Sequence, residues 1–153
     1  MIVRLKKSER RHRLTCIRED GSRTSANLGP GVPSHDLAHY VAERHFGIRG
    51  GFFGNIAAGY SIEALSDKDV IGTLSPESLL AEVLARALGS VSTGACDLGQ
   101  FDLLVSEELV RLGIQVPEDL SAAATAAALA EFTELLDRYA SLGNGEALQL
   151  KFD

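Results

Sequence analysis

Residues 2–28 read IVRLKKSERRHRLTCIREDGSRTSANL, and this stretch decides the fold class. Val3 and Leu5 alternate with Arg4 and Lys6, the two-residue period of a half-buried strand. Ser8 and Glu9 can turn the chain into a second strand over 11–18, where Leu14 and Cys16 share one face. Glu19-Asp20-Gly21-Ser22 then supplies an Asp-Gly turn, the strongest short-range hairpin signal. A third strand over 23–28 directs Thr24, Ala26 and Leu28 inward. The arginines and lysines fall largely on the outer face, where their charge stays solvated and edge pairing is discouraged.

The far end of the chain answers this sheet. From Ala147 to Asp153, Leu148, Leu150 and Phe152 alternate with Gln149 and Lys151, which predicts a terminal strand joining the N-terminal ones. Between the strands the sequence is helical. Gly29-Pro30-Gly31-Val32-Pro33 breaks the sheet. Ser34 is placed to cap a helix with Asp36 in its first turn, and Gly47 to end it in the left-handed conformation. A short glycine- and aromatic-rich helix is expected from 51 to 59, followed by loop with a helical turn over 61–74. Ser75-Pro76 opens a helix that should stop before Gly89, and 89–96 reads as a small-residue connector. Asp97 and Gln100 form a capping box for a helix ending at Gly113. Pro117 opens a last helix reaching about Leu142, alanine-rich and therefore expected to sit centrally. The expected plan is α+β: a small antiparallel sheet packed with a helical bundle of about five helices. One domain covers 1–153, with strands over 1–28, helices over 34–142 and the terminal strand over 147–153.

No apolar run approaches the roughly 20 residues needed to cross a bilayer. MIVRLKKSERRHR lacks the order of a secretory signal, and two cysteines are too few for a disulfide framework, so a reducing cytoplasm is expected. The net charge of −6 divides unevenly. Residues 1–25 carry eight Lys/Arg against three acids, whereas 26–153 carry seven against eighteen. The basic segment is expected to be answered by the acidic body, with nucleic-acid binding as the less favoured alternative.

SHDLAHYVAERHFG (34–47) holds three of the chain's four histidines. At the helical period His35, Asp36, His39, Tyr40 and Glu43 fall within an arc of about 140°. Leu37, Ala38, Val41 and Ala42 lie opposite them. His45 falls with the apolar side and reads as a core or boundary histidine. The plainest account of the polar arc is a solvated helix face. The sharper one is a ligand or partner surface of His35, Asp36, His39, Tyr40 and Glu43. The sharpest is a divalent metal, for which His35, His39 and Glu43 are the candidate ligands. His35 and His39 are spaced i, i+4, as in the metallopeptidase pattern H-E-x-x-H, but Asp36 replaces the glutamate and is one methylene shorter. Glu43 lies about 12 Å along the axis from His35, so all three cannot meet one ion. A metal between His39 and Glu43, or between His35 and His39, would need ligands from elsewhere. Cys96, Asp97, Asp102, Glu107, Glu108 and His12 are the candidates.

With its basic hairpin, HDLAHYVAE helix and GFFGNIAAG segment, the chain resembles small bacterial proteins of unknown function that share HDLxHYxxE and GFxG motifs. The resemblance implies the fold and no particular activity. GNIAAGYS (54–61) superficially matches a phosphate-binding loop, but Tyr60 occupies the position of the lysine that reaches the phosphates. Cys16 reads as an inert small hydrophobe in a strand. Two functions from different classes remain: a non-enzymatic protein binding a partner or small ligand, and a metal-dependent hydrolase-like site on His35 and His39.

Overall fold

The alternating segments form β1 (Ile2–Lys6), β2 (His12–Ile17), β3 (Arg23–Leu28) and β4 (Ala147–Lys151) in a computed structural model that describes residues 1–29, 31–117 and 120–153. The sheet is antiparallel in the order β3-β2-β1-β4. Register follows the hydrophobic alternation: Val3 faces Cys16 on one side and Leu150 on the other, while Leu5 faces Leu14 and Leu148. A slip of one residue would move all of these from the core to solvent. At the Asp-Gly turn Gly21 takes a φ of +82°, and the Arg18 N–H donates to Ser22 O at 2.8 Å. The terminal amine of Met1 donates to Phe152 O at 2.8 Å, which ties the two ends of the chain together.

The helices are α1 (Val32–His45), α2 (Phe52–Ala57), α3 (Lys68–Ile71), α4 (Pro76–Ser92), α5 (Leu98–Leu112) and α6 (Ala122–Ser141), with a 3₁₀ turn at Ala64–Ser66. Among the described residues the bundle thus has six α-helices where about five were expected. Helix α1 lies at its centre, against α2, α4 and α6, while α5 packs on α4 and α6. Its buried Leu37, Ala38, Val41 and Ala42 share one core with the inner sheet residues Val3, Leu5, Leu14, Cys16, Leu148 and Leu150.

Several boundaries differ from the sequence expectation, each for a local reason. Helix α1 begins two residues before Ser34, with Gly31 as N-cap and Pro33 in the first turn. The Ser34 hydroxyl donates to Gly31 O instead of capping, and Asp36 lies beyond the first turn. Its C-terminus is as expected. Gly47 has a φ of +63° and the Ile48 N–H donates to Glu43 O at 2.9 Å, the long bond of a Schellman motif. Helix α4 runs through Gly89 to Ser92, since one glycine weakens a helix without breaking it. Gly94, at a φ of +72°, follows its C-cap Thr93. The capping box of Asp97 and Gln100 opens α5, and Gly113 ends it at a φ of +70°. The last helix starts at Ala122 with Ser121 as its cap, and Pro117 lies outside it. Residues 118 and 119, expected within that helix, lie outside the described residues. Its alanines are mostly exposed, and burial concentrates on Thr125, Ala128, Phe132, Leu135 and Tyr139. Centrality belongs to α1 instead.

Among the described residues, no Lys or Arg of 1–25 comes within 4.0 Å of a carboxylate. Lys7 Nζ donates to Ala140 O, and Arg18 donates to Ile56 O and Tyr60 O, each at 2.6 Å. Arg13 meets Ser25 and Asn27 across the hairpin. These cations tie elements together through backbone and hydroxyl acceptors. No described helix is long and apolar enough to cross a membrane.

Candidate metal centre

The polar arc of α1 is not a solvated face. Asp36, His39 and Glu43 are 5%, 6% and 1% exposed. Each of the five predicted residues has a different environment. Tyr40 is turned toward the sheet: its hydroxyl donates to Lys151 O at 2.9 Å, and its ring packs against Phe53 and Phe152. That is a structural position. His45 sits at the boundary expected of it, with Nε2 2.6 Å from Glu131 Oε2.

Glu43 seats α2. Its two carboxylate oxygens accept from the Phe53 and Gly54 N–H groups at 3.2 and 2.9 Å. An ionised carboxylate is the natural partner for donors left free at a helix start. The approach is close enough to require glycine, because a Cβ on Gly51 would lie 2.3 Å from Glu43 Cδ. A Cβ on Gly54 would lie 2.0 Å from Arg49 O. The GFFG spelling is therefore explained by backbone packing. Glu43 Oε1 also lies 3.3 Å from His39 Nδ1, a charge contact without hydrogen-bond alignment, since Nδ1 has no bonded partner.

The other side of the His39 ring faces Glu82 of α4. His39 Nε2 lies 3.1 Å from Glu82 Oε2, and His35 Nε2 lies 3.4 Å from the same oxygen. The two imidazoles meet edge to face with centroids 4.7 Å apart. All three donor atoms fall within 4.8 Å of one another. Donors around one metal at 2.0–2.2 Å stand roughly 2.8–3.6 Å apart, depending on coordination geometry. Both distances to Glu82 fall in that range. His35 is 42% exposed at its side chain and has the freedom to close the remaining separation. The sequence candidates His12, Cys96, Asp97, Asp102, Glu107 and Glu108 do not join this group. Glu82 was not among them. Arg86, four residues later on the same helix, pairs with its other oxygen at 3.4 Å. Nothing in the local pattern separates it from an ordinary i, i+4 ion pair.

Without a metal, His39 is held as an imidazolium. Burial pushes its pKa down, but Glu43 and Glu82 on either side outweigh this and raise it to about 9. Glu82 is held well below the usual carboxylate range, chiefly by its hydrogen bonds to His35 and His39. Burial raises Asp36 to about 6 against the opposing pull of His39 and His35. Asp36 Oδ2 has no hydrogen-bond partner. Burial also pushes the Cys16 thiol up to about 12, which leaves it inert as expected.

His35, Asp36, His39 and Glu82 line one cavity of about 350 Å³. Its apolar lining comes from Phe52 of α2, Leu65 of the 3₁₀ turn, Ile71 of α3, Leu74 of the loop after it and Leu79 of α4. A cavity of this size with an apolar wall and a few convergent polar groups suits a small molecule. A metal held by three protein donors would keep at least one coordination position free, as catalytic rather than structural metal sites do. No family model matches this chain, and no curated protein or solved structure is similar to it.

Proposed function

We propose that the protein holds one divalent transition metal on His35, His39 and Glu82 and uses it in a hydrolase-like reaction on a small molecule bound in the adjoining cavity. The observation that carries this reading is the approach of Glu82 Oε2 to both Nε2 atoms, at 3.1 and 3.4 Å. Two imidazoles and a carboxylate form a donor set suited to zinc, iron or manganese. Glu43 Oε1, 3.3 Å from His39 Nδ1, stands within reach of the hydrogen bond by which a carboxylate commonly orients a ligating histidine. A metal in this position polarises a carbonyl and lowers the pKa of a coordinated water. Asp36 lines the same cavity and is the carboxylate beside this group that could take up a proton.

The other reading is a metal-free binding protein, favoured by one observation: the His39 imidazolium already bridges Glu43 and Glu82. Metal content separates the two. Protein purified without a histidine tag is expected to carry, or take up, one zinc, manganese or iron ion per chain. His35→Ala/His39→Ala and Glu82→Gln should each lower the affinity at least ten-fold. Failure to bind any of these ions, even after addition, would leave the hydrolase reading without its catalyst.

A further inference from the structure

The sheet has two faces, and the helices cover one of them. Strand alternation sends Val3, Leu5 and Leu14 into the core and their neighbours to the other side. There Arg4, Lys6, Arg13, Arg23 and Lys151 are all exposed. The four strands contain no acidic residue. Among the described residues, only Lys151 of these five cations meets a carboxylate, that of Asp153 at 2.6 Å. Lys6 stands directly opposite Arg13 in the ladder, a like-charge pair that costs the sheet stability until an anion comes between them.

We propose that this face binds the backbone of double-stranded RNA without reading its sequence. Phosphate and sugar are contacted chiefly by Arg, Lys, Ser, Thr, Asn and Gln, and the exposed face is built from those types. Thr15, Ser25 and Gln149 share the middle row with Arg4. Two residues to either side of that row stand Lys6 with Arg13 and Arg23 with Lys151, so the outer rows are roughly 13 Å apart. The minor groove of an A-form helix is wide and shallow, with 2′-hydroxyls between two lines of phosphates. A flat face with hydrogen-bonding groups between two cationic rows is complementary to it. The minor groove of B-form DNA is narrow, and its major groove is read by an inserted helix or ribbon, so a flat sheet enters neither. Single strands are held by stacking bases on aromatic rings, and the four strands contain no Phe, Tyr or Trp. The Arg13 guanidinium donates to Ser25 Oγ at 2.7 Å, which fixes it across the hairpin with further N–H groups left for a phosphate. Acids outnumber bases in the rest of the chain, which repels a polyanion elsewhere and confines its contact to this face.

Fluorescence anisotropy of the full chain with a labelled RNA duplex of about 20 base pairs and arbitrary sequence tests the assignment. The dissociation constant is expected near micromolar at about 50 mM salt, and affinity should fall with a log–log salt slope of roughly −4. Arg4→Gln, Lys6→Gln and Arg23→Gln should each weaken binding several-fold and reduce that slope by about one. Arg111→Gln, exposed on α5, should change neither. Lys6→Gln should also raise the denaturant midpoint without RNA, because it removes the opposed charge, so its lost binding is not lost fold. A DNA duplex of the same sequence should bind about ten-fold more weakly. Undetectable binding at low salt, or the same affinity and slope in the native protein and the three sheet variants, would overturn the proposal. Equal or tighter binding of the DNA duplex would overturn the RNA assignment, and tighter binding of polyglutamate would give the face to an acidic protein instead.

Discussion

Glu43 carries the largest local consequence of any single side chain. It is fully buried, seats the start of α2 through two N–H groups, and flanks His39. A methyl group at Gly51 would meet its carboxylate directly. Gly51→Ala is therefore expected to destabilise the protein by roughly 1–3 kcal/mol, as overpacking does. The displaced carboxylate should also weaken zinc binding about ten-fold, the usual cost of disturbing a ligand's supporting partner. Gly31→Ala is the control. Open space surrounds that position, so Gly31→Ala should cost no more than the roughly 1 kcal/mol of a weakened α1 N-cap and leave zinc binding unchanged. Denaturant midpoints and zinc titrations measure both effects. Equal behaviour of the two variants would mean that the seat of α2 on Glu43 does not matter.

At the scale of elements, α4 supplies both Glu82 to the His35–His39 cluster and Leu79 to the cavity wall, from the edge of its packed face. Its continuation through Gly89 is a weakness in the helix interior, where nothing lies within 4 Å of an added Cβ. Gly89→Ala should raise stability by about 0.5–1 kcal/mol through helix propensity alone. A higher denaturant midpoint with an unchanged denaturant slope is the expected result. A lower midpoint would mean that the helix does not continue through residue 89. Sequence reasoning ended this helix early because glycine is both a stop signal and a tolerated interior residue. Packing of α4 against α1 and α5 decides between them here. The same limitation affected the start of α6, where Pro117 signalled a helix that Ser121 actually caps.

For the whole molecule, the buried charges make stability depend on pH. His39 in the metal-free protein has a folded pKa of about 9, above the 6.5 of the unfolded chain. Its contribution is fully present below about pH 6.5 and is lost as pH rises through 9. Asp36, raised to about 6 by burial, has its own loss at lower pH, between 3.8 and 6. Between pH 6.5 and 9 the metal-free protein should therefore lose roughly 2–3 kcal/mol. Glu43, Glu82 and His35 face His39, with Asp36 beside them, so the loss belongs to this group as a coupled unit. Chemical denaturation after chelation measures it, and His39→Gln should flatten the profile. A flat profile in the native protein would show that the imidazolium is not held in the fold.

The sequence alone determined what repeats at short range. Alternation of apolar residues placed all four strands and their inward faces, because a period of two has one solution at an interface. The Asp-Gly turn, the Gly47 and Gly113 helix ends and the Asp97 capping box were legible for the same reason, since local backbone geometry permits few residues there. The i, i+4 spacing of His35 and His39 was equally local, and so was the separation of Glu43 from His35. Tertiary structure decided which face of α1 is buried. A helical wheel divides polar from apolar residues, but it does not reveal that α2 and α4 cover the polar side. It decided that Tyr40 belongs to the sheet and Glu43 to the seat of α2. It also brought Glu82, 43 residues beyond His39, to the same point as the two imidazoles. Contacts between helices distant in sequence depend on how whole faces pack, and no local pattern encodes them.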